Sequence, residues 1–383
     1  MATSPMLQTP SAGPRLRRKG RKPASLTLFP PAVRHGTSEP LCEVSPPPPG
    51  PDRSRKPALE LVGIARLAAS SPRVESKCGT EYFLLPVRSI LNECHSDRMP
   101  FRWTVNPYRG CEFGCRYCYA RYTHEYLRLE PAEFETKIFA KQSAGALAAR
   151  DLDRERIIGE HIAIGTATDP YQPAEREFGA TRTILGRMAE REGLSLSITT
   201  KSDQVVRDLD LLRRISARSS LSVNVTITTL RPRLARLLEP RAPRPDLRLQ
   251  AVRRLRDAGI SVGVFAMPVI PGLTDREEDL DALARAARDA GAEWLVASVL
   301  FLMPAAWKTF LAFLESRFPK LAGQYRTWYT GYGEAPEYYR RRISEQMAQL
   351  RAKYSLPSHP ESPTPACQQS QQFALQWSAG GCA

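Results

Sequence analysis

Cys111, Cys115 and Cys118 lie in the run Asn106-Pro-Tyr-Arg-Gly-Cys-Glu-Phe-Gly-Cys-Arg-Tyr-Cys-Tyr-Ala-Arg121. Their C-x3-C-x2-C spacing brings three thiolates to one point on a short loop. Three is one ligand fewer than a closed four-thiolate cluster or a structural zinc site takes. A [4Fe–4S] cluster held this way keeps one iron free of protein, and an open metal position is where chemistry can occur. The competing readings are a zinc knuckle completed by His124 and three unrelated buried cysteines. Structural zinc ligands usually come as two separated pairs, which this run lacks. Arg121, His124 and Glu125 follow the loop. They fit a substrate-facing group as well as the polar face of a helix that starts there.

Such a loop needs a scaffold, and the sequence beyond it alternates short apolar strands with amphipathic helices. Strands are expected over His161–Gly165, Leu194–Thr199, Leu221–Thr228, Ile260–Phe265 and Trp294–Leu300. Helices are expected over Glu175–Glu192, Ser202–Arg214, Arg231–Leu238, Leu247–Ala258, Asp275–Ala290 and Ala305–Phe318. Glycines after helices, as in Ala258-Gly259 and Ala290-Gly291, mark the stops. Strand–helix alternation with short links implies parallel strands joined by right-handed crossovers. The expected fold class is α/β, a partial TIM-like (β/α)6 barrel with a disordered N-terminal arm and a C-terminal helical cap. In such barrels the site lies at the C-terminal ends of the strands.

The flanks differ in composition. Residues 1–60 hold ten Lys/Arg, four Asp/Glu and 13 of the 33 prolines, including the knot from Arg15 to Lys22. That stretch is too polar to offset its ordering entropy, so residues 1–58 read as a disordered basic arm. A basic arm suits nucleic acid or anionic lipid, and suits equally a solvated tail with no partner. Residues 59–100 read as a lead-in, 101–318 as the barrel core, 319–356 as an aromatic and helical extension, and 357–383 as a disordered tail. In the extension, the aromatic-rich run Tyr325–Tyr339 precedes three arginines, and a cap over the barrel is favoured over a base-stacking surface. The net charge is +15, and 42% hydrophobic content suffices for a core. No apolar run is long enough to span a membrane. The other five cysteines are scattered, unlike a secreted disulfide framework, so a reducing cytoplasm is expected.

The cysteine run resembles the radical S-adenosylmethionine (SAM) superfamily. The resemblance implies that Cys111, Cys115 and Cys118 bind [4Fe–4S] and that the open iron chelates the amino and carboxylate groups of SAM. One electron, from a donor such as flavodoxin or ferredoxin, then cleaves SAM to methionine and a 5′-deoxyadenosyl radical that abstracts hydrogen from a substrate. Further motifs are similar to the spore photoproduct lyase branch and its uncharacterised relatives. They are Thr168-Asp-Pro-Tyr-Gln-Pro173, Thr200-Lys-Ser202, Asp208-Leu-Asp-Leu211, Leu238-Glu-Pro240 and Pro268-Val-Ile-Pro-Gly-Leu-Thr-Asp275. Together they cover about residues 100 to 300. By this resemblance Tyr117 packs beside the adenine, with Tyr119 the second aromatic flanking the last cysteine on the SAM side. Thr168 and Asp169 contact the methionine ammonium, and Lys201 pairs with the carboxylate. Asn224 or Thr226 meets the ribose, and Val269 and Ile270 border the adenine.

The lyases of that branch use a cysteine hydrogen donor just ahead of the residues matching Thr168-Asp169. Here the stretch reads Gly165-Thr-Ala167, and no cysteine occurs between Cys118 and Cys367. A threonine O–H bond is much stronger than S–H, so authentic spore photoproduct lyase activity is not expected. The expected protein is a radical SAM enzyme acting on another substrate, with nucleic acid the leading candidate. The alternative is a non-enzymatic zinc- or nucleic-acid-binding protein using the three cysteines and the basic arm. Substrate and oligomeric state are not legible in the sequence.

Overall fold

The computed structural model describes residues 61–77, 79–95, 99–153, 157, 159–330 and 333–359. The arm over 1–58, most of the tail over 357–383, and Cys42, Cys78, Cys367 and Cys382 lie outside the described residues. In chain order the strands are β1 (Arg73–Lys77), β2 (Thr80–Leu85), β3 (Leu91–Glu93), β4 (Trp103–Val105), β5 (Tyr108–Arg109) and β6 (Lys137–Lys141). They continue as β7 (His161–Ile164), β8 (Ser195–Thr200), β9 (Ser220–Thr226), β10 (Ser261–Val269) and β11 (Leu295–Val299).

Seven strands form one sheet in the order β11-β10-β9-β8-β7-β4-β3. Every neighbouring pair from β4 to β11 is parallel, and only β3 runs antiparallel, on the edge beside β4. Each of these six parallel strands is followed by a helix, over Ala144–Leu152, Ala180–Met188, Leu209–Ser216, Pro245–Asp257, Glu277–Asp289 and Pro304–Arg317 in turn. This is the (β/α)6 partial barrel that the alternation implied. Its first strand, Trp103–Val105, escapes a sequence reading because three residues carry too little periodicity. The long helix expected over Glu175–Glu192 is instead two pieces, Glu175–Phe178 and Ala180–Met188. The Ser202–Arg214 stretch opens with a 3-10 turn, Asp203–Asp208, before its α-helix.

Strand alternation divides the side chains between two faces. Leu196, Ile198, Val223, Val225, Val262 and Val264 are buried on one face. The other face is the barrel interior. Register aligns Thr199, Asn224 and Gly263 across β8, β9 and β10, with Trp294 beside Gly263. The Trp294 indole lies where a Cβ on Gly263 would sit, 2.1 Å from the ring, so only glycine admits it. Its Nε1–H donates to Asn224 Oδ1 at 3.0 Å, forming a floor. One layer up, the same face carries Lys201 and Thr226.

A second sheet, in the order β1-β2-β6-β5, was not anticipated in the lead-in. It joins the chain before β3 to the segment on either side of the cysteine loop. At the far end, helices Pro319–Trp328 and Glu337–Tyr354 form the expected cap. Tyr325 donates to Pro271 O, Tyr329 to Leu300 O and Tyr339 to Asp275, so buried tyrosines tie the cap to the exits of β10 and β11.

Candidate active site at the cysteine loop

Val105 ends the first barrel strand, and after Asn106-Pro107 and the short β5 the chain enters the cysteine loop. The loop leaves on a left-handed residue, Gly110, whose Cβ would stand 2.7 Å from Lys137 O. Two motifs from distant strand exits then grip it. Thr168 Oγ1 and Gln172 Nε2 both donate to Gly110 O, at 2.6 and 3.0 Å, and Gln172 Oε1 accepts from the Glu112 amide at 2.9 Å. On the other side, the Arg116 amide donates to Leu238 O at 2.9 Å and the Arg241 amide to Phe113 O at 3.2 Å. The residues flanking Cys111 and Cys115 are therefore fixed by hydrogen bonds from the segment that follows β7 and from the chain at the end of helix Pro232–Leu238, which follows β9.

The thiols of Cys111 and Cys115 are buried, and that of Cys118 is partly so. Burial pushes all three up, Cys115 to about 12, while Lys201 opposes this at Cys115 and Arg121 opposes it at Cys118. A metal centre is what converts such thiols to thiolates. Arg121 is fully buried beneath the loop, donating to Cys115 O and pairing with Glu135 at 2.5 Å. Among the described residues no three His, Cys, Asp or Glu side chains converge on a point that one ion could occupy. His124 does not complete a zinc site. Its Nε2 meets Lys137 O at 3.0 Å and its ring packs between Phe134 and Phe139.

Asp169 stands at the exit of β7, with its carboxylate accepting from Tyr171 N, Thr200 Oγ1 and Lys201 N at 2.7–2.9 Å. It thereby fixes both its own turn and the end of β8. Burial raises its pKa, and these donors oppose the rise. Lys201 projects beside the loop with its ammonium 5.8 Å from the centre of the Tyr117 ring. Burial works against that charge, but Cys115, Glu239 and Asp169 more than offset it, and its pKa is raised. The Tyr117 hydroxyl donates to Glu239 and lies 2.9 Å from Thr228 Oγ1, while Glu239 pairs with Arg248 at 2.5 Å in a fully buried salt bridge. Tyr119 is exposed at 45% and donates to Thr166 O.

The structure thus brings Tyr117, Thr168, Asp169 and Lys201 to the cysteine loop, with Tyr119 at its rim. Asn224 and Thr226 both face the interior, but at different depths. Asn224 belongs to the floor with Trp294, whereas Thr226 is level with Lys201. Val269 and Ile270 are buried at the exit of β10, where Val269 O accepts from Leu300 N and Ile270 N donates to Thr274. Sequence reasoning passed over Asn106, Gln172, Glu239 and Arg248 as individual residues. Asn106 accepts from the Ala167 amide at 2.8 Å and donates to Thr166, pinning the second strand exit to the first. The signal was present, since Asn106, Gln172 and Glu239 sit inside the quoted motifs. A cavity of about 470 Å³ around Cys94, His95, Arg102 and His161 lies at the starts of β4 and β7, the opposite end of those strands from the loop.

Residues 105–284 match the family model described as the Radical SAM superfamily. An uncharacterised protein of Mycobacterium tuberculosis is 36% identical over 318 residues, spanning 81% of this chain and 92% of the relative. The chain belongs to the radical SAM superfamily. An uncharacterised Methanocaldococcus jannaschii protein is 33% identical over 176 residues, 46% of this chain and 63% of that one. This radical SAM protein has the fold of spore photoproduct lyase. One variant of that lyase superposes with a TM-score of 0.55 at 17% identity, covering 72% of this chain and 80% of the other. Another, with bound AdoMet and dinucleoside spore photoproduct, gives 0.53 at 16% identity over 71% and 79%. At that identity the likeness is one of fold.

Proposed function

We propose that the protein is a radical SAM enzyme that holds a [4Fe–4S] cluster on Cys111, Cys115 and Cys118 and binds SAM across the mouth of the barrel. The observation that carries this reading is the double clamp on the cysteine loop, which sets buried thiols beside the Lys201 ammonium. The residues fit the group: three soft donors, no fourth cysteine in the loop, and Arg121 and Lys201 as nearby cations to balance thiolate charge. When bound and reduced, the cluster supplies the electron that splits SAM.

The chain's own part is binding and orientation. Lys201, preset by Asp169 through its amide, offers a point charge to the SAM carboxylate. The Tyr117 ring is held by Glu239 and presents a face for the adenine. Thr168 and Asp169 border the methionine ammonium. Their side chains are already hydrogen-bonded, so their larger contribution is to fix the loop and the β8 exit. Thr226, level with Lys201, is a better ribose contact than Asn224, which is engaged by Trp294. Val269 and Ile270 close the adenine side. The buried walls exclude water, which protects a radical from quenching.

The exit stretch Gly165-Thr-Ala167 offers no thiol, so the substrate radical is resolved by another donor than in the cysteine-dependent lyases. Nucleic acid is the first substrate class to test, with a flavodoxin or ferredoxin as reductant. Anaerobic reconstitution with iron and sulfide tests the cluster. The wild-type chain should turn brown, and Cys118→Ala should not, because two thiolates rarely retain a four-iron cluster. A colourless wild-type protein carrying one zinc would overturn the reading.

A further inference from the structure

The motif Leu238-Glu-Pro240, at the end of helix Pro232–Leu238, holds two consecutive residues of the cysteine loop. Leu238 O accepts from the Arg116 amide, and Glu239 accepts from the hydroxyl of Tyr117. Thr228 Oγ1 stands 2.7 Å from the Glu239 carboxylate, 2.9 Å from the Tyr117 hydroxyl and 3.0 Å from Met267 O. Met267 lies on β10, two residues ahead of Val269. Besides its ion pair with Glu239, Arg248 donates to Thr226 O at 3.1 Å and to Pro243 O at 2.8 Å. Glu239 is 2% exposed and Arg248 1%. One buried ion pair thus ties the Tyr117 ring to the end of β9, where Thr226 stands, and to the end of β10.

This network is built apart from the one around Lys201. Asp169 holds Thr200 and the Lys201 amide, while Thr168 and Gln172 hold Gly110 O, all from the exits of β7 and β8. Among the described residues, no side-chain hydrogen bond joins these groups to Tyr117, Thr228, Glu239 or Arg248. The two networks meet where the Lys201 ammonium lies 5.8 Å from the centre of the Tyr117 ring, with the Glu239 charge acting on it through space. A buried ion pair contributes little net stability, because desolvation offsets the attraction, and its best-attested use is to fix one arrangement. The arrangement fixed here is that of Tyr117, Thr226 and Val269, the residues on the adenine and ribose side.

We propose that Glu239 is a positioning residue for the adenosine half of SAM, acting independently of the Asp169–Lys201 arrangement that serves the methionine half. With Arg248 it sets the Tyr117 ring and the ends of β9 and β10 as one unit, so the nucleoside meets a preformed slot. Two half-sites that share no hydrogen bond contribute to binding additively, and each can be weakened alone. That the two halves receive SAM rests on the radical SAM reading.

The test measures binding to the full chain, reconstituted anaerobically, by calorimetry. Methylthioadenosine probes the nucleoside half, since it carries neither carboxylate nor ammonium, methionine probes the other half, and SAM is the whole. Glu239→Gln should weaken methylthioadenosine about tenfold, the value of a charge-assisted hydrogen bond, and change methionine by less than about twofold. Lys201→Met should do the reverse, and the double variant should lose for SAM the product of the two single losses. A glutamate serving only the fold would lower the melting temperature and leave the ratio of the two affinities unchanged. Should Glu239→Gln fold poorly, Tyr117→Phe, which removes the hydroxyl and keeps the ion pair, carries the same comparison. Unchanged methylthioadenosine binding, or a loss for methionine as large as that for methylthioadenosine, overturns the positioning role and leaves the radical SAM reading standing. A wild type that binds SAM but not methylthioadenosine also overturns the role alone, because a preformed slot takes the nucleoside by itself. A wild type that binds neither SAM nor either probe overturns both.

Discussion

At the scale of single residues, the site is organised by charges whose partners are buried with them. Lys201 is the cation left to a ligand, because Arg121 and Arg248 are committed to Glu135 and Glu239. Lys201→Met should therefore raise the KM for SAM by about ten- to a hundredfold, the value of a charge-assisted hydrogen bond of about 1.5–3 kcal/mol. Steady-state 5′-deoxyadenosine formation at varied SAM checks this, and an unchanged KM would remove Lys201 from the site. His124 plays a different part. It is fully buried, and burial lowers its pKa from 6.5 to about 4. The unfolded chain thus binds more protons than the folded one between these values. Stability is complete above about 6.5 and is lost as pH falls towards 4, by up to roughly 3 kcal/mol. Urea unfolding across that window should show the loss, and His124→Phe should flatten it. Equal pH slopes in the two proteins would contradict the burial argument.

At the scale of elements, the strand exits act first on the cysteine loop and only then on any ligand. Gln172→Leu keeps the volume but removes three hydrogen bonds, to Gly110 O, Thr168 Oγ1 and from the Glu112 amide. A loss of about 2–4 kcal/mol is expected, with iron retained poorly after desalting; full iron retention would show that the clamp is dispensable. The same elements mark what could be read in advance. Five barrel strands and their helices were legible because each carries enough alternation or amphipathic periodicity to declare itself. The three-residue β4 and two-residue β5 were not, since their identity comes from pairing with β7 and β6. The second sheet was missed for the same reason. Motif strings located the site, but not the division of labour within it. Asn224 and Thr226 look alike by alternation, and only Trp294, folding in over Gly263, assigns one to the floor.

At the scale of the molecule, the barrel is the superfamily's scaffold with its first strand delivering the cysteine loop, and the C-terminal tyrosines lock the opposite strand exits. Among the described residues no helix is long and apolar enough to cross a membrane. Such a scaffold hosts many chemistries, so its target must come from the rim. What the scaffold commits to is the reagent. The decisive measurement is 5′-deoxyadenosine released when anaerobically reconstituted protein is mixed with dithionite and SAM. Release that requires both additions and disappears in Cys118→Ala is the result expected. A brown, fully reconstituted protein that yields no 5′-deoxyadenosine under these conditions would contradict the account.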